Sequence, residues 1–99
     1  MKEAKINAVD YRKVVDFFNV FSHSTRVEMI IELLKGKKCV SDIRELLEVN
    51  QPNVSQHLSL LRSNDIVDWC QEGKRKCYFL KNPQLIKIIF DVLKENKLL

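Results

Sequence analysis

Glycine and proline are scarce in this sequence, since each occurs only twice in 99 residues. Because these two residues mark most turns, their scarcity predicts few turns and long helices. Long apolar runs are also missing. The most apolar stretches, 17–21 and 86–90, are interrupted by Asn19 and Lys87 and fall short of the ~18 to 20 residues of a membrane helix. The charged start of the chain has no apolar segment behind it, so we expect no secretory signal and a cytoplasmic location.

The chain length and composition fit one compact domain. A sequence of 99 residues, 45% hydrophobic and 30% charged, is too short for two independent cores. We therefore expect a single domain over 1–99, with the polar residues 1–6 as a flexible tail. The formal net charge of +4 is compatible with a polyanionic partner and equally with a solvated basic surface.

The spacing of apolar residues predicts five helices. Apolar residues recur at i, i+3, i+4 and i+7, which lines one face of each helix. A capping-box pair, Thr25 and Glu28, predicts where the second helix begins. Residues 48–50 separate the third helix from a fourth that has Pro52 in its first turn. Two helices joined by so short a segment predict a helix-turn-helix.

A change of period after the fourth helix predicts a β-hairpin. Side chains alternate on either side of Gly73, which is typical of two strands joined by a turn. Asn82 and Pro83 then predict the cap and first residue of a last helix. The expected fold class is mainly α with a small β-hairpin, a winged helix-turn-helix in the order helix, helix, helix, helix, strand, strand, helix.

The fourth helix and the hairpin have the composition of a DNA reader. Val54, Leu58 and Leu61 predict an inward stripe, and the remaining surface of the helix has no carboxylate to repel phosphates. In the winged-helix plan this helix enters the major groove and the hairpin reaches the adjacent backbone. The predicted DNA-binding residues are Gln51, Asn53, Ser55, Gln56, His57, Ser59 and Arg62 on the helix, and Lys74, Arg75 and Lys76 at the hairpin tip.

Two alternatives stay open at this point. The polar face is also compatible with a solvated surface or with a winged-helix module that binds another protein. His57 either touches DNA or hydrogen-bonds to the scaffold. An enzyme is not expected, because the sequence has no glycine-rich phosphate loop, no Cys-His pair at a catalytic spacing and no clustered carboxylates.

Three segments resemble one known family. They are Phe-Ser-His-Ser-Thr-Arg at 21–26, Lys-Cys-Val-Ser-Asp-Ile at 38–43 and Gln-Pro-Asn-Val-Ser-Gln-His-Leu-Ser-Leu-Leu-Arg at 51–62, with Glu-Gly-Lys at 72–74 in the hairpin. Together they are similar to the ArsR/SmtB winged-helix repressors. The resemblance implies a dimeric repressor that leaves its operator when an inducer binds, often a soft or transition metal ion.

The sequence departs from that family at the turn and at the metal sites. Glu48 stands where the family often has glycine in the turn between the paired helices. The arsenic and cadmium type has Cys-Val-Cys at the start of the third helix, where this chain has Cys39, Val40 and Ser41. The zinc and nickel type uses histidine on the last helix, and this last helix has none. We therefore predict no metal site and no cofactor, and the inducer is not identified.

The first and last helices carry more apolar surface than one core contact needs. This surplus predicts a homodimer in which the terminal helices pack against their symmetry mates, the alternative being one unusually apolar monomer core. A twofold dimer would set two fourth helices ~34 Å apart and match an inverted repeat in double-stranded DNA. The predicted interface residues are Val14, Phe17, Phe18, Phe21, Leu85, Ile86, Ile89, Phe90 and Leu93.

The three cysteines, Cys39, Cys70 and Cys77, form a candidate thiol sensor. Their odd number does not suggest a disulfide framework. A turn centred on Gly73 places Cys70 opposite Cys77, where they either form a cross-strand disulfide or remain two small thiols. Cys39 at a helix start either has a lowered pKa or only fills space. Nothing in the sequence brings all three together into one site.

Overall fold

The computed structural model describes residues 10–47 and 51–99, without the side chains of Gln51 and Pro52. The tail predicted for residues 1–6 and the turn at Glu48 lie outside the described residues. The elements in chain order are α1 (Tyr11–Asn19), α2 (Ser24–Leu34), β1 (Lys38–Cys39), α3 (Val40–Leu47), α4 (Gln51–Ser63), β2 (Val67–Glu72), β3 (Arg75–Leu80) and α5 (Pro83–Glu95). The predicted order of five helices and a hairpin is confirmed, with β1 as an addition.

The helix starts follow local capping chemistry. Asn82 caps α5 by accepting the N–H of Leu85 at 3.2 Å, and a proline stands in the first turn, as predicted. The capping box predicted for Thr25 is wrong. Nδ1 of His23 accepts the N–H of Thr25 at 3.1 Å, so His23 is the cap of α2. An imidazole nitrogen with a lone pair can satisfy a helix-end amide as a hydroxyl does.

The core lies between α2, α3, α4, α5 and the inner face of the sheet. The predicted inward stripe of α4 is confirmed, because Val54, Leu58 and Leu61 are at most 1% exposed. Burial of such side chains contributes about 1.5 to 3 kcal/mol each. The other core members come from α2, α3, the sheet, α5 and the segments beside them; they include Val20, Met29, Ile30, Leu33, Ile43, Ile66, Val67, Tyr78, Leu80, Ile86 and Phe90. In the described part of the chain, no helix is long and apolar enough to cross a membrane.

The hairpin and β1 form one antiparallel sheet in the order β1-β3-β2. A two-residue turn follows Glu72, and Gly73 adopts φ +62°, a conformation that favours glycine. The register sets Glu72 opposite Arg75 and Cys70 opposite Cys77. The sequence prediction that these two cysteines face each other is confirmed. We call β2, β3 and their turn the wing.

One disulfide is present, and it does not join the pair that faces across the wing. Cys77 is bonded to Cys39 of β1, and Cys70 is a free thiol. A bond between Cys70 and Cys77, one of the two alternatives from sequence, is therefore wrong. No sequence pattern indicated that Cys39 would meet Cys77, and the structure joins these two residues of the candidate thiol sensor.

Ladder geometry explains this choice of partner. Antiparallel pairs alternate between a hydrogen-bonded type and a closer, non-hydrogen-bonded type. The tight turn makes Glu72 and Arg75 a hydrogen-bonded pair, so Cys70 and Cys77, two pairs further on, are of the same wider type. Cys77 then turns its backbone polar groups toward β2. Its pairing with Cys39 on the other side is therefore the closer type.

The terminal helices leave part of their apolar surface exposed. Of the predicted interface residues, Val14, Phe18 and Leu85 are exposed, and Phe17, Phe21, Ile89 and Leu93 are partly buried. The prediction is wrong for Ile86 and Phe90, which are 2% and 6% exposed because they line the inward face of α5. Exposed apolar residues that the prediction omitted are Tyr11, Val15, Ile88 and Val92.

Candidate nucleic-acid interface

Helix α4 presents its polar face to solvent. Because the inward stripe anchors the helix, Asn53, Ser55, Gln56 and Ser59 all point outward and are exposed. Gln51 lies at the start of α4, and its predicted contact falls outside the described side chains. Amide and hydroxyl groups on this surface can donate to and accept from base edges and phosphates.

A polar groove of about 430 Å³ lies between the end of α4 and the wing. We call it the wing groove; its lining consists of Ser59, Arg62, Ser63, Asp65, Val67, Asp68, Lys76, Tyr78 and Lys81. Lys81 pairs with Asp65 at 3.2 Å, and Arg62 pairs with Asp68 at 3.2 Å. Because both carboxylates are paired with other cations, the ammonium of Lys76 gives the wing groove one net positive charge. Such a surface attracts a phosphate backbone weakly.

Arg62 is held in place at the mouth of the wing groove. Its Nε donates to Oδ1 of Asp68, and its guanidinium lies 5.6 Å from the ring centroid of Trp69. Asp68 also accepts the backbone N–H of Trp69 at 2.8 Å. That backbone hydrogen bond, followed by the effect of Arg62, holds the pKa of Asp68 below its usual value. The carboxylate therefore stays charged and continues to orient Arg62.

The three basic residues at the wing tip have different surroundings. Lys74 is exposed in the turn. Lys76 Nζ lies 4.3 Å from the ring centroid of Trp69, on the wing-groove side, which is a cation–π geometry. Arg75 turns the other way and donates to Oγ of Ser41 at 3.1 Å and to Oδ1 of Asp42 at 3.0 Å. Lys74 and Lys76 are thus better placed than Arg75 to meet a phosphate.

Arg26 is a structural residue that the sequence analysis did not single out. Although arginine is rarely buried, Arg26 is only 9% exposed. Its Nε donates to the carbonyl of Val20 at 3.0 Å and its Nη2 to that of Asn19 at 3.1 Å, both at the end of α1. The carbonyl end of a helix carries partial negative charge, which stabilises a buried cation. Arg26 therefore fastens α1 to α2.

His57 contacts the scaffold, which is one of the two roles left open by the sequence. Its Nδ1 lies 3.4 Å from Nη1 of Arg26, and its ring is 4.4 Å from that of His23 between centroids. The ring is half-buried. This contact ties α4 to the junction of α1 and α2.

Acid is expected to destabilise the protein through His57. Burial, then the charges of His23 and Arg26, lower the pKa of His57 from 6.5. Below about pH 6.5, the pKa of His57 in the unfolded chain, the unfolded state binds more protons than the folded state. The contribution of His57 to the free energy of unfolding is therefore complete above about pH 6.5 and decreases as the pH falls. Urea midpoints measured at about pH 7.5 and 5.5 should show this loss, and His57→Gln should reduce it. An equal loss in the variant would contradict this assignment.

Some residues of the wing groove were not predicted as site residues. Ser63 and Tyr78 line it, and Lys81 follows β3 directly. Strand alternation gave a signal for Tyr78, because it shares a face with Lys76. The pairing of Asp65 with Lys81 joins residues 16 apart in sequence, and no local pattern indicates it.

Comparisons with known proteins agree on one group. Residues 23–68 match the family described as "Bacterial regulatory protein, arsR family". The chain is 35% identical over 81 residues to an uncharacterized HTH-type transcriptional regulator, MJ1325, of Methanocaldococcus jannaschii, covering 80% of this chain and 90% of that one. It is 33% identical over 87 residues to a homolog of the cadmium resistance regulatory protein CadC of Staphylococcus aureus, covering 87% and 69%.

The fold also has close structural counterparts. One is the homodimeric winged helix-turn-helix DNA-binding domain of Mb0332 from Mycobacterium bovis, with a TM-score of 0.80 and 20% identity over 96% of this chain and 87% of that one. This likeness supports the winged helix-turn-helix fold.

Proposed function

Because this chain belongs to the arsR family of bacterial regulatory proteins, we propose that it represses transcription as a homodimer bound to an inverted repeat in double-stranded DNA. It is a DNA-binding transcriptional regulator and not an enzyme. We further propose that an inducer releases it from DNA and that it works in the cytoplasm, beside the chromosome. The observation that carries the proposal is the exposed polar face of α4, which lacks carboxylates and adjoins the wing groove.

The proposed contacts divide into base readers and phosphate binders. Asn53, Ser55 and Gln56 lie on the outward face of α4, and side-chain amides suit adenine edges in the major groove. Ser59 and Arg62 lie further along α4, at the wing groove, where a duplex that contacts both elements would pass. Gln51 at the helix start is proposed as a further base reader. These groups fix which sequence is bound and in which register.

The wing supplies the proposed backbone contacts. Lys74 at the turn and Lys76 beside Trp69 are placed to bind phosphates. Arg75 reaches a phosphate only if it leaves Asp42, so we assign it a smaller share of the affinity. His57 contributes through its position on the scaffold rather than through a base. Phosphate contacts of this kind make the affinity strongly dependent on salt.

The proposed dimer interface is the apolar surface shared by α1 and α5. A shallow groove of about 440 Å³ lies there, lined by Lys13, Val14, Phe17, Phe18, Leu85 and Ile89. Ile88 on α5 is 61% exposed although it is strongly apolar. Apolar surface of this extent on a small protein indicates a partner, and twofold pairing is the commonest solution. We call this surface the terminal-helix face.

Replacing Gln56 tests the proposed base readout. We expect Gln56→Ala to weaken binding to an operator selected from a random duplex library by about 1 to 3 kcal/mol for each lost base contact. Binding to random duplex should hardly change, because that binding depends on phosphate contacts. Fluorescence anisotropy with both duplexes at several salt concentrations measures the two effects.

Gln84→Ala is the matched control, since Gln84 is an exposed glutamine on α5 and is not among the proposed DNA contacts. It should bind both duplexes as the parent does. Failure of the parent protein to bind any duplex at low salt would contradict the proposal and favour a protein partner. Equal losses on both duplexes for Gln56→Ala would contradict the assignment of Gln56 as a base reader.

A further inference from the structure

The three cysteines form a row across one face of the wing sheet. Cys39 of β1 stands opposite Cys77 of β3, and Cys77 stands opposite Cys70 of β2. Directly opposed residues in antiparallel strands point to the same face. Cys77 is fully buried, Cys39 is 8% exposed, and Cys70 is partly exposed.

A carboxylate from the wing joins two of these sulfurs. Glu72 lies two residues after Cys70 on the same strand, and therefore on the same face. Its Oε1 is 3.9 Å from Sγ of Cys77. The sulfurs of Cys39 and Cys77 and a carboxylate oxygen of Glu72 all lie within 4.8 Å of one another. Three potential ligand atoms from β1, β2 and β3 thus converge on one point.

The spacing and type of these atoms suit a thiophilic cation. A tetrahedral centre with bonds of about 2.3 Å to sulfur holds its ligand atoms about 3.8 Å apart. Separation of the two bonded sulfurs to that distance is a small movement within a sheet whose register already aligns them. Thiolates favour soft and borderline ions over Mg²⁺ or Ca²⁺, and a single carboxylate is a common companion ligand.

The surrounding charge also suits such an ion. Two thiolates and one carboxylate around a divalent cation leave one net negative charge. The ammonium of Lys37 forms an ion pair with Glu72 and can balance it. A lysine that orients a ligating carboxylate acts as an outer-shell partner of the metal.

We propose that Cys39, Cys77 and Glu72, once the disulfide is reduced, form a binding site for a thiophilic divalent cation of the Zn²⁺ or Cd²⁺ class. Reduction by a dithiol adds two electrons and two protons to the S–S bond and gives two thiols. Metal binding then displaces those two protons, and each sulfur donates a lone pair without further electron transfer. Oxidation back to the disulfide uses the same sulfurs, so disulfide and bound metal exclude each other.

This site does not overlap the proposed DNA contacts, and it does not depend on the proposed function. Its neighbours nonetheless connect the paired helices with the wing. The N–H of Cys39 donates to Oδ2 of Asp42 at 3.3 Å, and Arg75 donates to Oδ1 of the same carboxylate.

Titration of the protein with Cd²⁺ tests the proposal without DNA. The fully reduced chain should bind one ion with a thiolate-to-metal charge-transfer absorption in the ultraviolet. Cys39→Ser and Cys77→Ser should each lose this absorption, and Glu72→Gln should weaken binding by about tenfold or more. Cys70→Ser is the matched control: it removes a cysteine from the same sheet face and should bind as the parent does.

The oxidised parent protein provides a measurement that needs no substitution. With the bond between Cys39 and Cys77 intact, it should bind no Cd²⁺, and bound Cd²⁺ should protect the reduced protein from oxidation by a small disulfide. Undiminished binding by the oxidised protein or by folded Cys77→Ser would overturn the site. Loss of binding in Cys70→Ser would overturn the ligand set.

Discussion

Replacing Phe18 by glutamate is expected to convert the proposed dimer into a monomer and to lower affinity for an inverted-repeat operator by about a hundredfold or more. Phe18 is 61% exposed and lies in the groove of the terminal-helix face. A carboxylate at this position would have to lose its water inside an apolar interface, twice in a symmetric dimer. Without the dimer, each α4 binds one half-site alone and the gain from simultaneous binding disappears.

The fold of the monomer should survive this change, because the side chain is outside the core. Sedimentation equilibrium at micromolar concentration measures the assembly, and anisotropy with the selected operator measures the affinity. Leu46→Glu is the matched control, since Leu46 is an apolar side chain on α3 that is 52% exposed. It should leave the assembly state unchanged. A Phe18→Glu variant that still sediments as a dimer would remove the terminal-helix face from the proposal.

The sequence predicted the helix-turn-helix and wing well because their signals are local. The inward stripe Val54, Leu58 and Leu61 follows from helical period alone. The register of Cys70 against Cys77 follows from the position of Gly73, since a two-residue turn determines every pair beyond it. Each of these signals extends over only a few residues.

The terminal helices show where local reasoning stops. The sequence of α5 reveals that it is apolar on more than one side, but both sides have the same chemistry. Ile86 and Phe90 point toward α2 and the core, whereas Ile88 and Val92 point to solvent. Which stripe faces inward depends on how α5 crosses the rest of the molecule, and that is set by tertiary packing rather than by period.

The cluster of Cys39, Cys77 and Glu72 could not be predicted from the sequence for a related reason. β1 has two residues, Lys38 and Cys39, which is too short for an alternating pattern to appear. Its pairing with β3 brings together positions 38 residues apart. Without β1, Cys77 has only one visible neighbour, Cys70, and the sequence prediction accordingly considered that pair. In the wing groove, likewise, only the folded chain shows that Asp68 is paired with Arg62.

Removing the side chain of Arg26 is expected to cost about 2 to 4 kcal/mol of unfolding free energy, since hydrogen bonds from a charged donor contribute about 1.5 to 3 kcal/mol each and the losses overlap. Arg26→Ala leaves the carbonyls of Asn19 and Val20 without their donors and removes the cation beside His57. The buried stem of the side chain is lost as well. Urea unfolding followed by circular dichroism measures the change.

Arg12→Ala is the matched control, because Arg12 is an exposed arginine on α1, and its loss should stay within about 0.5 kcal/mol. Arg26→Lys keeps the charge but lacks the planar guanidinium that donates to the carbonyls of Asn19 and Val20 at the same time. Its loss of unfolding free energy should therefore be intermediate. Equal stability of Arg26→Ala and Arg12→Ala would contradict the role of Arg26 in fastening α1 to α2.

If Arg26 has this role, Arg26→Ala should also weaken operator binding by the protein that remains folded. The reason is that α1 carries part of the terminal-helix face and that His57, which contacts Arg26, belongs to α4.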